Sequence, residues 1–417
     1  MTMTHRHHHS IPFLVVLLAL VTISLPVSAA DWPQFRGPNR DGKSAETGLL
    51  AQWPAEGPRL LWTATGVGAG FSHVSVADGL IYVTGLVGKE GILQALTPDG
   101  TVKWRVSYGP EYSDAHPGAR TIPTVHDGLV YVASGLGNVS CFEAATGTPV
   151  WSVKVFEQYE APPVQWGYAE SLLVDGDNVI VTPCGKQATM VALNRKTGAA
   201  VWASPALEQA SSFCSPLLVE RGGQRLLITM TEVAVLAFSA ADGKLVWQHP
   251  YQNARQNHPD MPLYQDGLLY VTSGYGKGAI GLAIAEDGGS VTPVWEQKKQ
   301  DPCHGQAVLV DGYVYASSHQ SASGRWTCVD LQSGRLAWED PGVGKGGSVI
   351  YADGRLYCYT EDGTVGLLRP SAEKCEILGS FKVPQGDGSH WAHPVVANGR
   401  LYVRHGEALM CYDIAAK

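Results

Sequence analysis

The sequence predicts an all-β fold, an eight-bladed β-propeller of four-stranded antiparallel blades, and three observations lead there. A tight-turn dipeptide followed by a short apolar strand occurs eight times. An aromatic residue, tryptophan in the first six copies, follows each of the first seven turns by 24 to 29 residues. The last copy lacks its final strand, and a strand of the missing kind stands near the other end of the chain.

The turns are Asp78-Gly79, Asp127-Gly128, Asp175-Gly176, Gly222-Gly223, Asp266-Gly267, Asp311-Gly312, Asp353-Gly354 and Asn398-Gly399. Asp-Gly and Asn-Gly supply the positive φ angles of a two-residue hairpin, and runs such as Leu80-Ile81-Tyr82-Val83 supply the strand that follows. Successive copies are 49, 48, 47, 44, 45, 42 and 45 residues apart, the period of a four-stranded blade. The aromatics are Trp104, Trp151, Trp202, Trp247, Trp295, Trp338 and then Phe381, several preceded by a second small turn such as Thr146-Gly147 or Thr197-Gly198. Each repeat therefore reads as strands A to D, with the aromatic on D packing between blades.

The eighth copy ends in strand C, Ala408 to Ile414, and the missing strand D is Arg59-Leu60-Leu61-Trp62-Thr63. Pairing the two in one blade closes the ring and removes sheet edges that would otherwise template aggregation.

Residues 1–29 read as a signal peptide: Arg6 among histidines, an apolar run from Ile11 to Leu25, and Val27-Ser28-Ala29 at a small-x-small cleavage point. Residues 30–56 form an N-terminal strap, and 57–417 the propeller. The expected location is periplasmic or secreted. The first cysteine is Cys141, so no lipid or membrane anchor is expected. Without residues 1–29 there remain 29 Lys and Arg (30 less Arg6) against 38 Asp and Glu, a net charge of −9. That balance gives no bulk attraction to nucleic acid. Eight cysteines contain no CxxC pair, so neither a thioredoxin-type site nor covalent haem is indicated. Cys141 and Cys328 occupy one equivalent position in different blades and are expected as buried thiols.

Segments such as Val191-Ala192-Leu193-Asn194-Arg195-Lys196-Thr197-Gly198-Ala199-Ala200-Val201-Trp202 resemble the pyrroloquinoline-quinone-like repeat, and the resemblance runs through residues 57 to 417. Asp31-Trp32-Pro33-Gln34-Phe35-Arg36-Gly37 is similar to the leader of secreted quinoprotein-like propellers of planctomycete-type bacteria. The resemblance implies one of two roles. Quinoprotein dehydrogenases bind the quinone with calcium at the propeller centre, whereas outer-membrane assembly propellers of the BamB family are non-catalytic scaffolds that bind a protein. The adjacent cysteines and the Glu, Asn and Asp calcium set of the first branch are missing here, as is the lipidated cysteine usual in the second.

Counting back from each turn places His73, Arg120, Tyr168, Glu170, His304, Trp391 and His393 at the starts of inner strands, around one funnel. Such residues can hold an anion, a metal or a stacked ring, or can simply hydrate a channel. The expectation is an exported, monomeric, non-catalytic scaffold. It would bind an envelope or secreted protein partner, or a small molecule in the funnel, without nucleic acid and with no catalytic residue or metal. A pyrroloquinoline-quinone-dependent dehydrogenase using that funnel is the alternative. Trp32 and Phe35 are either a partner surface or a strap packed on the propeller.

Overall fold

The computed structural model describes residues 1–2, 30–321 and 323–416, so the predicted signal peptide lies outside the described residues apart from its first two. Eight blades of four antiparallel strands among the described residues follow one another around a ring, one of them extended by a short parallel strand. Among the described residues the one helix is Val155–Gln158, and none is long and apolar enough to cross a membrane. Blade 1 consists of Ser75–Ala77, Leu80–Val87, Glu90–Leu96 and Val102–Pro110. Blade 8 takes Val395–Ala397, Arg400–His405 and Ala408–Asp413 from the end of the chain, and Arg59–Thr65 as its outer strand. Trp62 pairs with Cys411 and Thr65 with Ala408, which is the predicted closure.

The register explains the repeat. Opposite each strand-D tryptophan the neighbouring strand C carries a small residue: Ala95 faces Trp104, Cys141 faces Trp151, Gly281 faces Trp295 and Cys328 faces Trp338. The indole lies over that gap and reaches the next blade. Trp104 donates to the Ala144 carbonyl at 3.0 Å, Trp295 to Leu331 at 2.8 Å and Trp338 to Ser371 at 2.8 Å. The glycine of the next blade's second hairpin must be small because that indole rests on it. A Cβ on Gly334, at φ +68°, would lie 2.5 Å from the Trp295 ring. Cys141 and Cys328 are fully buried free thiols, as their equivalent positions predict.

Residues 30–56 run across the inner strands. Trp32 bridges Val76 of blade 1, and the Pro33 carbonyl accepts the Val125 N–H of blade 2 at 2.8 Å. Arg36 donates to the Ala307 carbonyl of blade 6, and Arg40 to the carbonyls of Ser171 and Leu172, entering blade 3, at 3.0 and 3.1 Å. Lys43–Ser44 adds a short parallel strand to blade 7, pairing with Tyr351 and Ala352. The Glu46 carboxylate caps the last hairpin by accepting the Asn398 and Gly399 N–H groups. Trp32 is 1% exposed and Phe35 7%. Of the two readings of this segment, the packed one is what the structure shows.

Candidate functional site

The strap gives the central channel a floor. Phe35 is stacked on the His73 ring at 5.7 Å and tilted against His393 at 5.6 Å, with the Arg40 guanidinium 5.9 Å from its ring. Above it opens a cavity of about 370 Å³. Most of its wall comes from connections that run from strand D of one blade to strand A of the next: Phe71, His116, Arg120, Trp166, Phe213, Asn257, His304 and Trp391. Tyr275, between strands B and C of blade 5, completes it.

Five of the seven sequence-predicted residues, His73, Arg120, His304, Trp391 and His393, line this cavity. Tyr168 and Glu170 do not. Both are buried in blade 3, where the Thr182 N–H lies 3.3 Å from the Tyr168 hydroxyl and 3.1 Å from Glu170 Oε1. The counting rule finds inner-strand starts but not the turn of the backbone there, and blade 3 folds these two side chains inward. Residues missed by the counting are Phe35 on the strap and His116, Trp166 and Tyr275 on loops. Phe71 and Phe213, on the connections into blades 1 and 4, line it as well.

Backbone strain marks the same place. His116, Trp166, Phe213, Tyr275 and Gln306, all lining residues, have φ between +55° and +75°, as do Arg36 at +62° and Arg40 at +56°. A left-handed conformation costs a bulky side chain about 1–2 kcal/mol. Such conformations persist only where surrounding structure imposes them, and they concentrate at binding sites.

The electrostatics divide the cavity. At its base, burial pushes His73 down to about 4, and burial with the charges of His73 and Arg36 pushes His393 down to about 3. Both rings are therefore neutral at pH 7. Arg36 and Arg40 are lowered to about 10, by burial above all, and stay charged. Several buried polar atoms here have no hydrogen-bond partner among the described residues: Arg36 Nε and Nη1, His73 Nε2, His393 Nδ1 and Asp260 Oδ2. At the rim, burial disfavours charge on His304, but the Cys303 thiol and the Glu361 carboxylate outweigh it and raise His304 to about 10. Arg120 lies 5.6 Å from the Phe71 ring and 4.7 Å from that of Tyr112. His304 stacks on Trp391 at 4.7 Å, and Phe71 contacts the same indole at 4.9 Å.

Aromatic faces with a cationic rim suit a planar organic anion, whose ring stacks while its charge is neutralised. A metal is less well served. His73 and His393 stack on each other rather than converging. Among the described residues no group of three or more His, Cys, Asp or Glu could hold an ion.

A family model described as outer membrane protein assembly factor BamB matches residues 89–340 and, overlapping, 277–374. The BamB protein of Yersinia pestis is 23% identical over 327 residues, which is 74% of this chain and 77% of that protein. Among solved structures, BamB from Moraxella catarrhalis aligns with a TM-score of 0.60 at 16% identity, covering 86% of this chain and 98% of that one. Quinohemoprotein alcohol dehydrogenase from Comamonas testosteroni aligns with a TM-score of 0.66 at 14% identity, covering 93% and 81%. At these identities the two structures show the fold alone.

Proposed function

The chain belongs to the family of outer membrane protein assembly factor BamB, and from that premise we propose that it is a cell-envelope scaffold that binds a protein partner at the funnel face. Export through residues 1–29 is part of the proposal. The observation that carries it is the strap-floored aromatic cavity. A channel closed at one end, walled by rings held in strained backbone, is built to receive something inserted from the loop side. The inserted group is an aromatic or acidic side chain of the partner, or a small planar anion of the same chemistry.

A quinone dehydrogenase is the second reading, favoured by the aromatic and cationic wall. The residues fit a planar quinone carboxylate but not its calcium. Calcium needs six to eight oxygen ligands. The carboxyls of Asp260 and Glu170 are buried and pushed up to about 7 and about 8 by burial. One Asp260 oxygen is taken by the Gln306 N–H at 3.0 Å and one of Glu170 by Thr182.

Calorimetric titration with pyrroloquinoline quinone and calcium, beside a dye-reduction assay with alcohols and sugars, separates the two. The scaffold reading expects no substrate-dependent reduction, together with photo-crosslinking of one envelope protein through a probe at position 166. Saturable quinone binding with turnover would replace it by the dehydrogenase.

A further inference from the structure

Beside the aromatic cavity lies a second, smaller cavity of about 110 Å³, and His304 lines both. Its wall includes Cys303, Ser318, His319, Lys345 and Glu361. Three of these groups stand in line. Cys303 Sγ is 3.8 Å from His304 Nε2, and His304 Nδ1 is 3.5 Å from Glu361 Oε1. The imidazole is fixed in that orientation by stacking on Trp391, and its backbone carbonyl accepts from His393 Nε2 at 3.0 Å. The loop behind Cys303 is pinned by the Asp301 carboxylate, which accepts N–H groups from Gly276, His319, Gln320 and Ser321. A thiol, a base on it and a carboxylate orienting the base form the arrangement that activates a nucleophile, and such contacts are commonly loose before a substrate binds.

We propose that Cys303, His304 and Glu361 form a nucleophilic thiol site that accepts the acyl group of a small ester or thioester, with the acyl chain in the aromatic cavity. In the reaction the thiol proton passes to His304 Nε2. Cys303 Sγ attacks the acyl carbonyl carbon and a C–S bond forms. The bond from that carbon to the leaving oxygen or sulfur breaks, and the proton on Nε2 passes to the leaving atom. The products are an acyl thioester on Cys303 and a free alcohol or thiol. Glu361 touches no reacting atom and acts as a positioning residue. The ionisable groups that surround His304 are Cys303, Glu361, Asp260, His319 and His393, with Lys345 and Asp301 facing His319 and Tyr275 facing Cys303.

The other seven cysteines are a quiet background. Burial pushes Cys141, Cys214, Cys328, Cys375 and Cys411 up to about 12, and raises Cys184 and Cys358 as well. Buried thiols of that kind are poor nucleophiles.

The test is reaction of the purified chain with 4-nitrophenyl acetate at pH 6.5, read by 4-nitrophenolate release and by peptide mass. One acetyl group per chain is expected, on Cys303, and none in Cys303→Ser. His304→Gln should slow acylation about 100-fold, and Glu361→Gln at least about 10-fold. A merely structural role would not change leaving-group dependence. Phenyl acetate, a poorer leaving group, should therefore lose more than 4-nitrophenyl acetate in His304→Gln. Glu361→Gln alters a rim carboxylate and keeps the test decisive if His304→Gln fails to fold. Acetylation spread over other residues, or rates unchanged in a folded Glu361→Gln, would overturn the proposal.

Discussion

The perimeter of this ring and its centre obey different rules. Around the perimeter the blades repeat one solution: a strand-D aromatic with, opposite each tryptophan, a small residue (Val365 faces Phe381 in blade 7), and an indole or ring reaching the next blade. At the centre no two blades agree. The seventh residue before the turn is Phe71, Arg120, Tyr168, Ser215, Pro259, His304, Gly346 and Trp391 in turn. Uniformity marks the positions that hold blades together, because each inter-blade contact faces the same packing problem. Variety marks the positions that face a single shared object.

The sharpest way to break this comparison is at the perimeter. Gly334→Ala places a Cβ 2.5 Å from the Trp295 ring at a φ of +68°, whereas a Cβ on Gly312, at φ +81°, would meet nothing within 4 Å. Both carry the left-handed penalty, but only the first also collides with packed atoms. Urea unfolding should show a loss of about 3 kcal/mol for Gly334→Ala and about 1 kcal/mol for Gly312→Ala. Equal losses would mean that backbone strain alone, not the indole, demands glycine in the second hairpin.

The centre should announce itself through pH. Glu170 is raised by burial from the usual 4.5 to about 8, and Asp260 from 3.8 to about 7. Between the ordinary and the raised values the folded chain holds protons that the unfolded chain has released, so stability falls as pH rises through that window. His73 and His393 are lowered, to about 4 and about 3, so the unfolded chain takes up protons first and stability falls as pH drops below 6.5. The two pairs oppose each other from about pH 4.5 to 6.5, which leaves a plateau with an alkaline decline above it. Glu170→Gln keeps an acceptor for the Thr182 N–H and removes the titration. It should shrink the loss between pH 5.5 and 8 by about 2 kcal/mol. An unchanged alkaline decline would show that the Arg40 guanidinium keeps Glu170 ionised.

The ring was legible from the chain because its signals are local and repeated: Asp-Gly at a period near 45, tryptophan 24 to 29 residues later, and a stray strand D at Trp62. The centre was half legible. Counting from the turns found His73 and His393, which lie deep in the wall, yet it also brought in Tyr168 and Glu170, which turn into blade 3. It could not see that Phe35 is the floor, because nothing local to Trp32-Pro33-Gln34-Phe35 says that its partners lie 38 and 358 residues away, at His73 and His393. Nor does adjacency in sequence reveal Cys303 and His304 as a pair, since the carboxylate that orients them, Glu361, comes from the next blade.

Two tryptophans test the comparison most directly. Trp338 is a perimeter residue, bonded to Ser371 of the next blade, and Trp391 is a centre residue in the cavity wall. Trp338→Leu strips a packed indole and its hydrogen bond, and should lower stability by about 2–3 kcal/mol while leaving the cavity untouched. Trp391→Leu removes ring faces that meet Phe71, His116 and His304 but no inter-blade hydrogen bond, so its loss should be near 1 kcal/mol. For a planar aromatic sulfonate, followed by tryptophan quenching, the order should reverse, with Trp391→Leu weakening binding about tenfold and Trp338→Leu leaving it unchanged. If both variants lose stability alike and neither affects the dye, the central rings are packing like the rest, and the variety at the centre reflects eight different ways of filling space.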